Sequence, residues 1–377
     1  MVCYIFLVLC GLWVLQSANY IYSVGRALTI AILGSLCGLR NVSQIHQWAD
    51  SQRVKEFLRE HFAIYTIPCY FWLLSLLSLI KPESLNERFT KWSDTLLPES
   101  LKDMTISFDG KSICSTGKMS EYENPLHILS AHLAELGLTI AQRTVDVKSN
   151  EIPAMRELLG LIDVSGCMVV ADALHCQVKT AEAIVKGGGA YLLNVKGNQE
   201  TLEKDIEDYV QDPELRATMD AKTTREKNGG RIERRSAFTT NDIGWMEGKN
   251  DWEGMACIGA INTRFTDTDG KTSNEWHYYI SSRALTAEDL LKYARNEWSV
   301  ESMHWLLDVH FGEDFSRVRD SNVNQNLNII RKTALNSIRY YKNESGSKLP
   351  FSKIMFACLL DCVMILTVLF PQTVVER

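Results

Sequence analysis

The sequence predicts an α/β protein in which helices flank a mixed β-sheet. Apolar runs of strand length occur at residues 104–109, 167–173 and 191–195, and each passes into small or polar residues. Residues 127–136 and 138–145 read as two further strands that meet at a glycine turn. A three-stranded meander followed by helix, strand, helix and strand is typical of a mixed α/β sheet.

The segment before this pattern has helical periodicity. Residues 26–100 predict a small helical domain, which we consider a candidate DNA-binding domain, and residues 54–62 are amphipathic at helical spacing. Residues 1–25 carry no charged side chain. A membrane anchor is one interpretation of that segment, but the positive region that precedes a signal sequence is missing. We therefore expect residues 1–25 to form a packed or loosely docked helix.

The pattern changes again after the fifth strand. Residues 101–345 are predicted to form the α/β domain, with a β-rich insertion at about 200–275. A helix follows from near Thr286 to about Leu307, and Thr286 with Asp289 predicts a capping box at its start. Residues 346–377 are assigned to a C-terminal tail.

Composition restricts the possible functions. The chain has 377 residues, of which 46% are hydrophobic and 23% charged, so it can bury a sizeable core. Its net charge of −6 provides no global positive field, and any nucleic-acid binding must depend on local basic patches. The 10 cysteines form no Cys-x-x-Cys pair, which gives zinc ribbons no support. Reduced thiols inside apolar runs favour a cytoplasmic location.

Three carboxylates are the candidate chemical centre. Asp109 and Asp172 each follow an apolar strand, where open α/β sheets place their ligand sites. Glu301 lies on the last predicted helix of the domain. Oxygen ligands of this kind suit a hard divalent cation such as Mg²⁺. Asp308, seven residues along the same helix face, and the pair Glu313 and Asp314 are rivals for the third position.

Two basic or polar segments are candidate DNA contacts. Lys196, Asn198 and Gln199 follow the fifth strand at the same sheet end as the aspartates, although they could instead cap the next helix. The densest positive stretch lies in the insertion, where a charged strand edge is the alternative interpretation. Its basic residues are Lys222, Arg225, Lys227, Arg231, Arg234 and Arg235.

Several motifs, in order along the chain, resemble those of the H-repeat-associated transposases of bacterial insertion sequences. The resemblance covers roughly residues 25–362. The motifs are Phe108-Asp109-Gly110-Lys111, Lys148-Ser149-Asn150-Glu151-Ile152-Pro153-Ala154, Asp172-Ala173-Leu174-His175-Cys176-Gln177, Lys196-Gly197-Asn198-Gln199, Gly230-Arg231-Ile232-Glu233-Arg234-Arg235, Tyr278-Tyr279-Ile280-Ser281-Ser282 and the segment from Trp298 to Val309.

The resemblance implies a ribonuclease-H-like mixed sheet carrying an aspartate–aspartate–glutamate triad. Carried over residue by residue, the triad falls on Asp109, Asp172 and Glu301, as catalytic residues and as ligands of Mg²⁺ or Mn²⁺, with two ions expected. The implied activity is metal-dependent DNA strand cleavage and strand transfer. We further expect Lys111, in the first of these motifs, and Arg295, which corresponds to the arginine of a Tyr-x-x-Arg signature in related transposases, to contact DNA.

The implied partners are the terminal inverted repeats of the element and the target DNA, bound by a homodimer, and no stable membrane partner is expected. The chain departs from the family pattern at both ends and at Gly229, where the family has histidine. Tyr293 and Arg295 are one residue closer together than in related transposases, and Asp308 replaces a lysine. The alternative function is a decayed, catalytically inactive remnant that only binds DNA.

Overall fold

The structure, a computed structural model, describes residues 23–117, 125–145, 150–228, 231–266 and 271–371. The expected N-terminal helix of residues 1–25 therefore lies almost wholly outside the described residues. Within the described ranges, no helix is both long enough and apolar enough to cross a bilayer.

Five helices occupy the segment predicted to be helical. Ser23 caps the first through the backbone N–H of Arg26, and Asn41 caps the second through that of Gln44. At Gly34 a Cβ atom would lie 2.8 Å from Ile45, so these two helices pack closely only because residue 34 is glycine. The helices are α1 (Val24–Leu36), α2 (Val42–Ala49), α3 (Gln52–Phe62), α4 (Tyr70–Ser78) and α5 (Pro82–Asp94).

The described residues form one nine-stranded sheet in the order β3-β2-β1-β4-β5-β9-β8-β7-β6. Strand β4 is parallel to β1 and to β5, and the remaining neighbours are antiparallel. The predicted mixed sheet flanked by helices is confirmed. The strands are β1 (Thr105–Ile113), β2 (Leu126–Leu133), β3 (Leu138–Val145), β4 (Met168–Ala171), β5 (Ala190–Val195), β6 (Asp220–Asn228), β7 (Arg231–Thr240), β8 (Cys257–Thr266) and β9 (Thr272–Ser281).

The insertion is part of this sheet. Its last strand, β9, pairs antiparallel with β5, so β6 to β9 extend the sheet beyond β5. Strand β6 was not predicted, because its residues are mostly polar and charged and do not form an apolar run. It is an edge strand, and its charged side chains discourage pairing with another chain.

Helices cover both faces of the sheet. On one face, Ile106, Phe108 and their neighbours pack with the helices of residues 151–159 and 178–186. On the other face, Met168, Val170 and Leu192 pack with Leu290, in the helix of residues 287–297. The helices that follow β1 are α6 (Cys114–Gly117), α7 (Glu151–Leu159), α8 (Val178–Lys186), α9 (Glu200–Gln211), α10 (Pro213–Thr218), α11 (Ala287–Glu297), α12 (Ser299–Phe311), α13 (Ser321–Ser345), α14 (Phe351–Leu360) and α15 (Cys362–Leu369).

The single helix predicted from Thr286 to Leu307 is two helices. The predicted capping box of Thr286 and Asp289 opens α11, but Trp298 ends α11 and begins α12. A second correction concerns Asp109, which does not end its strand, because β1 continues to Ile113. The reason is that β1 stays paired with β2 after its pairing with β4 has stopped at Phe108.

A second hydrophobic core lies among helices. It joins α1 to α5 with α12, the long helix α13 and the C-terminal helices α14 and α15. Residues such as Ile354, Ile365 and Val368, in the segment assigned to a tail, are buried in this core. The domain boundaries drawn from the sequence remain predictions.

Candidate active site

A row of polar contacts holds helices α11 and α12 alongside strand β1. Alternate residues of β1 point to the helices, since side chains of a strand alternate between its faces. The four contacts in order are Asn296 Nδ2 to Thr105 Oγ1 at 2.8 Å, Ser299 Oγ to Ser107 Oγ at 3.2 Å, His304 Nδ1 to Asp109 Oδ2 at 3.3 Å, and the ion pair of Asp308 with Lys111.

The spacing of these contacts explains their register. Twelve residues separate Asn296 from Asp308, about 18 Å of helix, and six separate Thr105 from Lys111, about 20 Å of strand. Glu301 lies between the second and third contacts, and therefore level with the part of β1 that carries Asp109. Asp308 lies one contact further along.

Asp172 comes directly after β4, the strand next to the one that carries Asp109. It follows the Phe108–Ala171 pair that ends the β1–β4 ladder. Partial desolvation raises the pKa of the Asp172 carboxyl, and the negative charges of Glu151 and Asp109 add to the shift, against the opposing effect of His175. The two predicted aspartates thus lie within range of each other's charge.

Negative charge accumulates at Glu297, the last residue of α11. Burial, together with the negative charges of Asp172, Glu301 and Asp109, raises its pKa to about 7, against the opposing positive charge of Lys196. The three carboxylates that the sequence predicts as a triad therefore all raise the pKa of the same side chain, that of Glu297. Glu297 was not singled out from the sequence, although it precedes Glu301 by four residues, one turn of helical spacing.

The residues of this site suit a divalent cation by their chemistry. Four carboxylates supply oxygen ligands, and the mutual repulsion felt at Glu297 is of the kind that a cation relieves. Within the described ranges, no three acidic, histidine or cysteine side chains are already arranged around one point as metal ligands. That the triad shares metal ions stays a prediction.

Glu151 connects the two aspartate-bearing segments. Its carboxylate accepts hydrogen bonds from His127 Nε2 at 2.7 Å and His175 Nε2 at 3.2 Å. Burial opposes ionisation, but these bonds lower the pKa of Glu151 to about 2. The carboxyl carbon would also lie 2.5 Å from a Cβ atom at Gly110, so residue 110 must be glycine for Glu151 to sit there. Glu151 lies in one of the family motifs, but nothing in the sequence around it predicts these contacts.

Two of the three rival carboxylates for the third position, Asp308 and Glu313, already have cationic partners. Asp308 pairs with Lys111, and Glu313 is fully buried, with Asn328 Nδ2 at 2.8 Å, Lys111 Nζ at 3.3 Å and Arg331 Nη1 at 3.8 Å. Burial raises the pKa of Glu313, but the surrounding positive charges outweigh it and the net shift is downward. Lys111, predicted to contact DNA, is the cation these two carboxylates share.

The segment after β5 supports the loop that carries Asp172. Asn198 Nδ2 donates to the carbonyl of Ala173 at 2.7 Å, and Gln199 Nε2 donates to that of Cys176 at 3.0 Å. Lys196 is exposed. Of these three candidate DNA contacts, the two amides are thus engaged with backbone carbonyls in the chain as it stands.

The arginines of the insertion and of α11 have separate surroundings. Arg234 is exposed and lines a cavity of about 400 Å³ together with Arg216 and Arg264. The guanidinium of Arg235 pairs with Glu233 and lies 4.7 Å from the centre of a Trp298 ring, next to Glu297. Arg295 is exposed and pairs with Glu226. The side chain of Arg231 lies outside the described part of the chain.

Comparison with known proteins identifies relatives along most of the chain. Residues 102–337 match the family model described as "Transposase DDE domain". Two proteins of Escherichia coli K12 are each 32% identical to this chain. YbfL aligns over 323 residues, 84% of both chains, and YhhI, named as a candidate H repeat-associated transposase, over 327 residues, 84% of this chain and 85% of its own.

One solved structure is similar at a lower level. It is a piggyBac transposase in a synaptic complex with hairpin DNA, with a TM-score of 0.46 and 11% identity, over 100% of this chain and 82% of that one. A likeness this distant carries no argument about function.

Proposed function

The chain belongs to the family of transposases with a DDE domain, and we propose from this membership that it cleaves DNA strands and transfers them to a target. Asp109, Asp172 and Glu301 are the proposed catalytic residues and metal ligands. The proposed substrates are the terminal inverted repeats of its own insertion sequence and the target DNA, bound by a homodimer. A cytoplasmic location is part of the same proposal.

The observation that carries the proposal is the accumulation of negative charge around Glu297. Asp172, Glu301 and Asp109 all disfavour the ionised form of that residue. Carboxylates kept this close oppose folding unless a cation or a proton offsets them. Bound there, Mg²⁺ or Mn²⁺, with two ions proposed, would supply Lewis-acid activation of water and of the phosphodiester.

The side chains of the chain itself orient this site. His304 holds Asp109 at 3.3 Å, and Glu151 fixes His175, three residues after Asp172. The contacts of Asn296 with Thr105 and Ser299 with Ser107 keep the start of α12 against β1. In the proposed reaction water displaces the 3′-oxygen from phosphorus, and the freed 3′-hydroxyl then attacks a phosphodiester of the target, releasing its 3′-oxygen.

The register along β1 supports Glu301 over Asp308 as the third ligand. Glu301 lies between the helix residues that contact Ser107 and Asp109, whereas Asp308 is one contact further on and neutralises Lys111. At 1.5 Å per residue, the two acids are about 10 Å apart along the helix axis. Only one of them can lie level with Asp109 and Asp172.

The test compares Glu301→Gln with Asp308→Asn on DNA that carries the inverted repeats flanking the coding region. Glu301→Gln is expected to abolish Mg²⁺-dependent strand cleavage and to leave DNA binding nearly unchanged. Asp308→Asn should retain measurable cleavage, since Lys111 keeps Glu313 as a partner. The opposite behaviour of the two variants would refute the assignment of Glu301. A wild-type chain that binds this DNA without cutting it would support the alternative of an inactive remnant.

A further inference from the structure

A basic cavity lies at the far end of α12 from Glu301. Its volume is about 760 Å³, and it is enclosed by the first turn of α2, the start of α4 and the segment that joins α12 to α13. Among the described residues that line it are the arginines Arg40, Arg317, Arg319 and Arg331. This cavity shares no residue with the carboxylate site.

Two of the arginines have no partner within the described chain. Arg40 Nη2 donates to the carbonyl of Val309 at 2.9 Å, and Arg331 is buried beside Glu313. Arg317 and Arg319, in contrast, are exposed, and no described residue forms an ion pair or a hydrogen bond with their side chains. Two unpaired guanidinium groups on one short segment form a site for an anion.

The remaining lining adds to this positive character. Asp320 is the one acidic residue among the described residues of the lining, and its Oδ1 accepts a hydrogen bond from the backbone N–H of Val323. The first turn of α2 also borders the cavity, and the N-terminus of a helix favours negative charge. The whole chain has a net charge of −6, so the positive charge around this cavity is a local feature that attracts anions to this part of the surface.

The cavity continues the exposed side of the helix that carries Glu301. Gly312, which lines the cavity, lies 11 residues after Glu301, about 16 Å along a helix. Trp305 is 58% exposed between the two sites and Phe315 is 78% exposed beside the cavity. Exposed aromatic side chains beside a cationic groove are typical of surfaces that hold nucleic-acid strands.

We propose that Arg317 and Arg319 bind backbone phosphates of the DNA on which the carboxylate site acts. The inference rests on the proposed function, because the DNA is the same molecule. At about 3.4 Å per nucleotide of one strand, 16 Å of helix corresponds to about five nucleotides. The cavity therefore contacts phosphates about five nucleotides from the phosphodiester that is cleaved at Glu301. These contacts set the position of the DNA strand in the site.

The test removes both unpaired charges and measures how DNA binding depends on salt. Arg317→Gln/Arg319→Gln is compared with Lys102→Gln/Lys348→Gln, which removes two exposed charges outside the helical segment and the carboxylate site. The probe is a fluorescein-labelled duplex of about 30 base pairs in EDTA and varied NaCl. Each lost phosphate contact lowers the slope of log K against log[NaCl] by about 0.9. We expect a decrease of about 2 for the arginine variant and none for the lysine variant.

Two further measurements separate the possible outcomes. Arg317→Lys/Arg319→Lys should keep most of the wild-type slope, because the charge is retained, whereas damage to packing would not be rescued in this way. An unchanged slope in the glutamine variant, or an equal decrease in the lysine control, would overturn the proposal. The proposal would also be overturned if the glutamine variant lost binding only to a labelled acidic peptide or to inorganic phosphate and bound DNA as the wild type does.

The outcome is independent of catalysis. If the wild type binds DNA with the expected arginine-dependent slope but never cleaves it, the proposed function fails and the phosphate site stands. If Glu301→Gln abolishes cleavage while the arginine variant leaves the slope unchanged, the proposed function stands and the phosphate site fails. A wild type that binds no DNA contradicts both.

Discussion

Replacing Glu297 with glutamine is expected to stabilise the protein near neutral pH. The carboxyl of Glu297 is partly buried next to Asp172, Glu301 and Asp109, and its pKa is raised from 4.5 to about 7. The folded state therefore retains a proton that the unfolded state releases. Glutamine has nearly the same shape and cannot ionise, so the variant avoids the penalty of charging this group.

The size of the effect follows from the shift in pKa. A rise of about 2.5 units corresponds to about 3 kcal/mol at 1.36 kcal/mol per unit. Because the folded pKa is the higher one, the wild type loses this stability as the pH rises from about 4.5 to about 7, and the loss stays constant above that. Urea unfolding followed by tryptophan fluorescence at several pH values between 4 and 8 measures the difference between variant and wild type.

The control is Glu253→Gln, which removes a carboxylate at an exposed position. Its difference from the wild type should not vary with pH in the same window. The reasoning would be refuted if Glu297→Gln were no more stable than the wild type at pH 8, or if its advantage were as large at pH 4 as at pH 8. Millimolar Mg²⁺ should reduce the advantage, because a cation offsets the same negative charge.

Three further predictions concern neighbouring features. Gly110→Ala should lower the free energy of unfolding by about 1–3 kcal/mol through overpacking, because the new methyl would meet Glu151. The control Gly197→Ala, where no atom lies within 4 Å of the added Cβ, should change the free energy of unfolding little. Equal losses for the two variants in urea titrations would contradict this. Glu313→Gln should cost about 3–5 kcal/mol, since it leaves the buried cation Arg331 uncompensated; a loss under 1 kcal/mol in the same assay would count against it. Removing divalent cations with EDTA should lower the melting temperature of the wild type, and a variant with Asp109 and Asp172 both changed to asparagine should show no such shift.

The strands of the sheet could be predicted where burial leaves a periodic pattern. Residues 127–136 and 138–145 alternate or run apolar around Gly137, whose φ of 67° suits the turn. Strand β6 could not be found in this way, because it is an edge strand with most of its side chains in water. Its place depends on pairing with β7, which is a property of the tertiary structure.

The candidate site could be predicted in part for a similar reason. Asp109, Asp172 and Glu301 were identified by motif, but the extension of β1 past Asp109 depends on its pairing with β2. The break at Trp298 carries no glycine or proline and depends on contacts with β1 on either side. Glu297 acquires its importance only from that break, which turns a residue in the middle of a predicted helix into the end of one.

The C-terminal segment illustrates the limit of comparing motifs. Residues 363–370 look unlike the family, yet Ile365 and Val368 are buried in the hydrophobic core that lies among the helices. A hydrophobic core requires apolar volume of roughly the right shape and accepts many sequences. Packing can therefore be kept where sequence resemblance is lost.

The pairing of β5 with β9 has a consequence for the order of folding. Leu192 of β5 pairs with Ser281 of β9, 89 residues later. Asp109 lies in β1 and Asp172 directly follows β4, and these two strands pair with each other, beginning with Thr105 and Met168. The pairing of Thr105 with Met168 already closes a span of 63 residues, so closing the longer span costs only about 0.3 kcal/mol more chain entropy. Glu297 and Glu301 follow that loop, so the half-site of two aspartates can assemble before either glutamate arrives. The like charges therefore meet in the last stage of folding, and a divalent cation is expected to accelerate that stage alone.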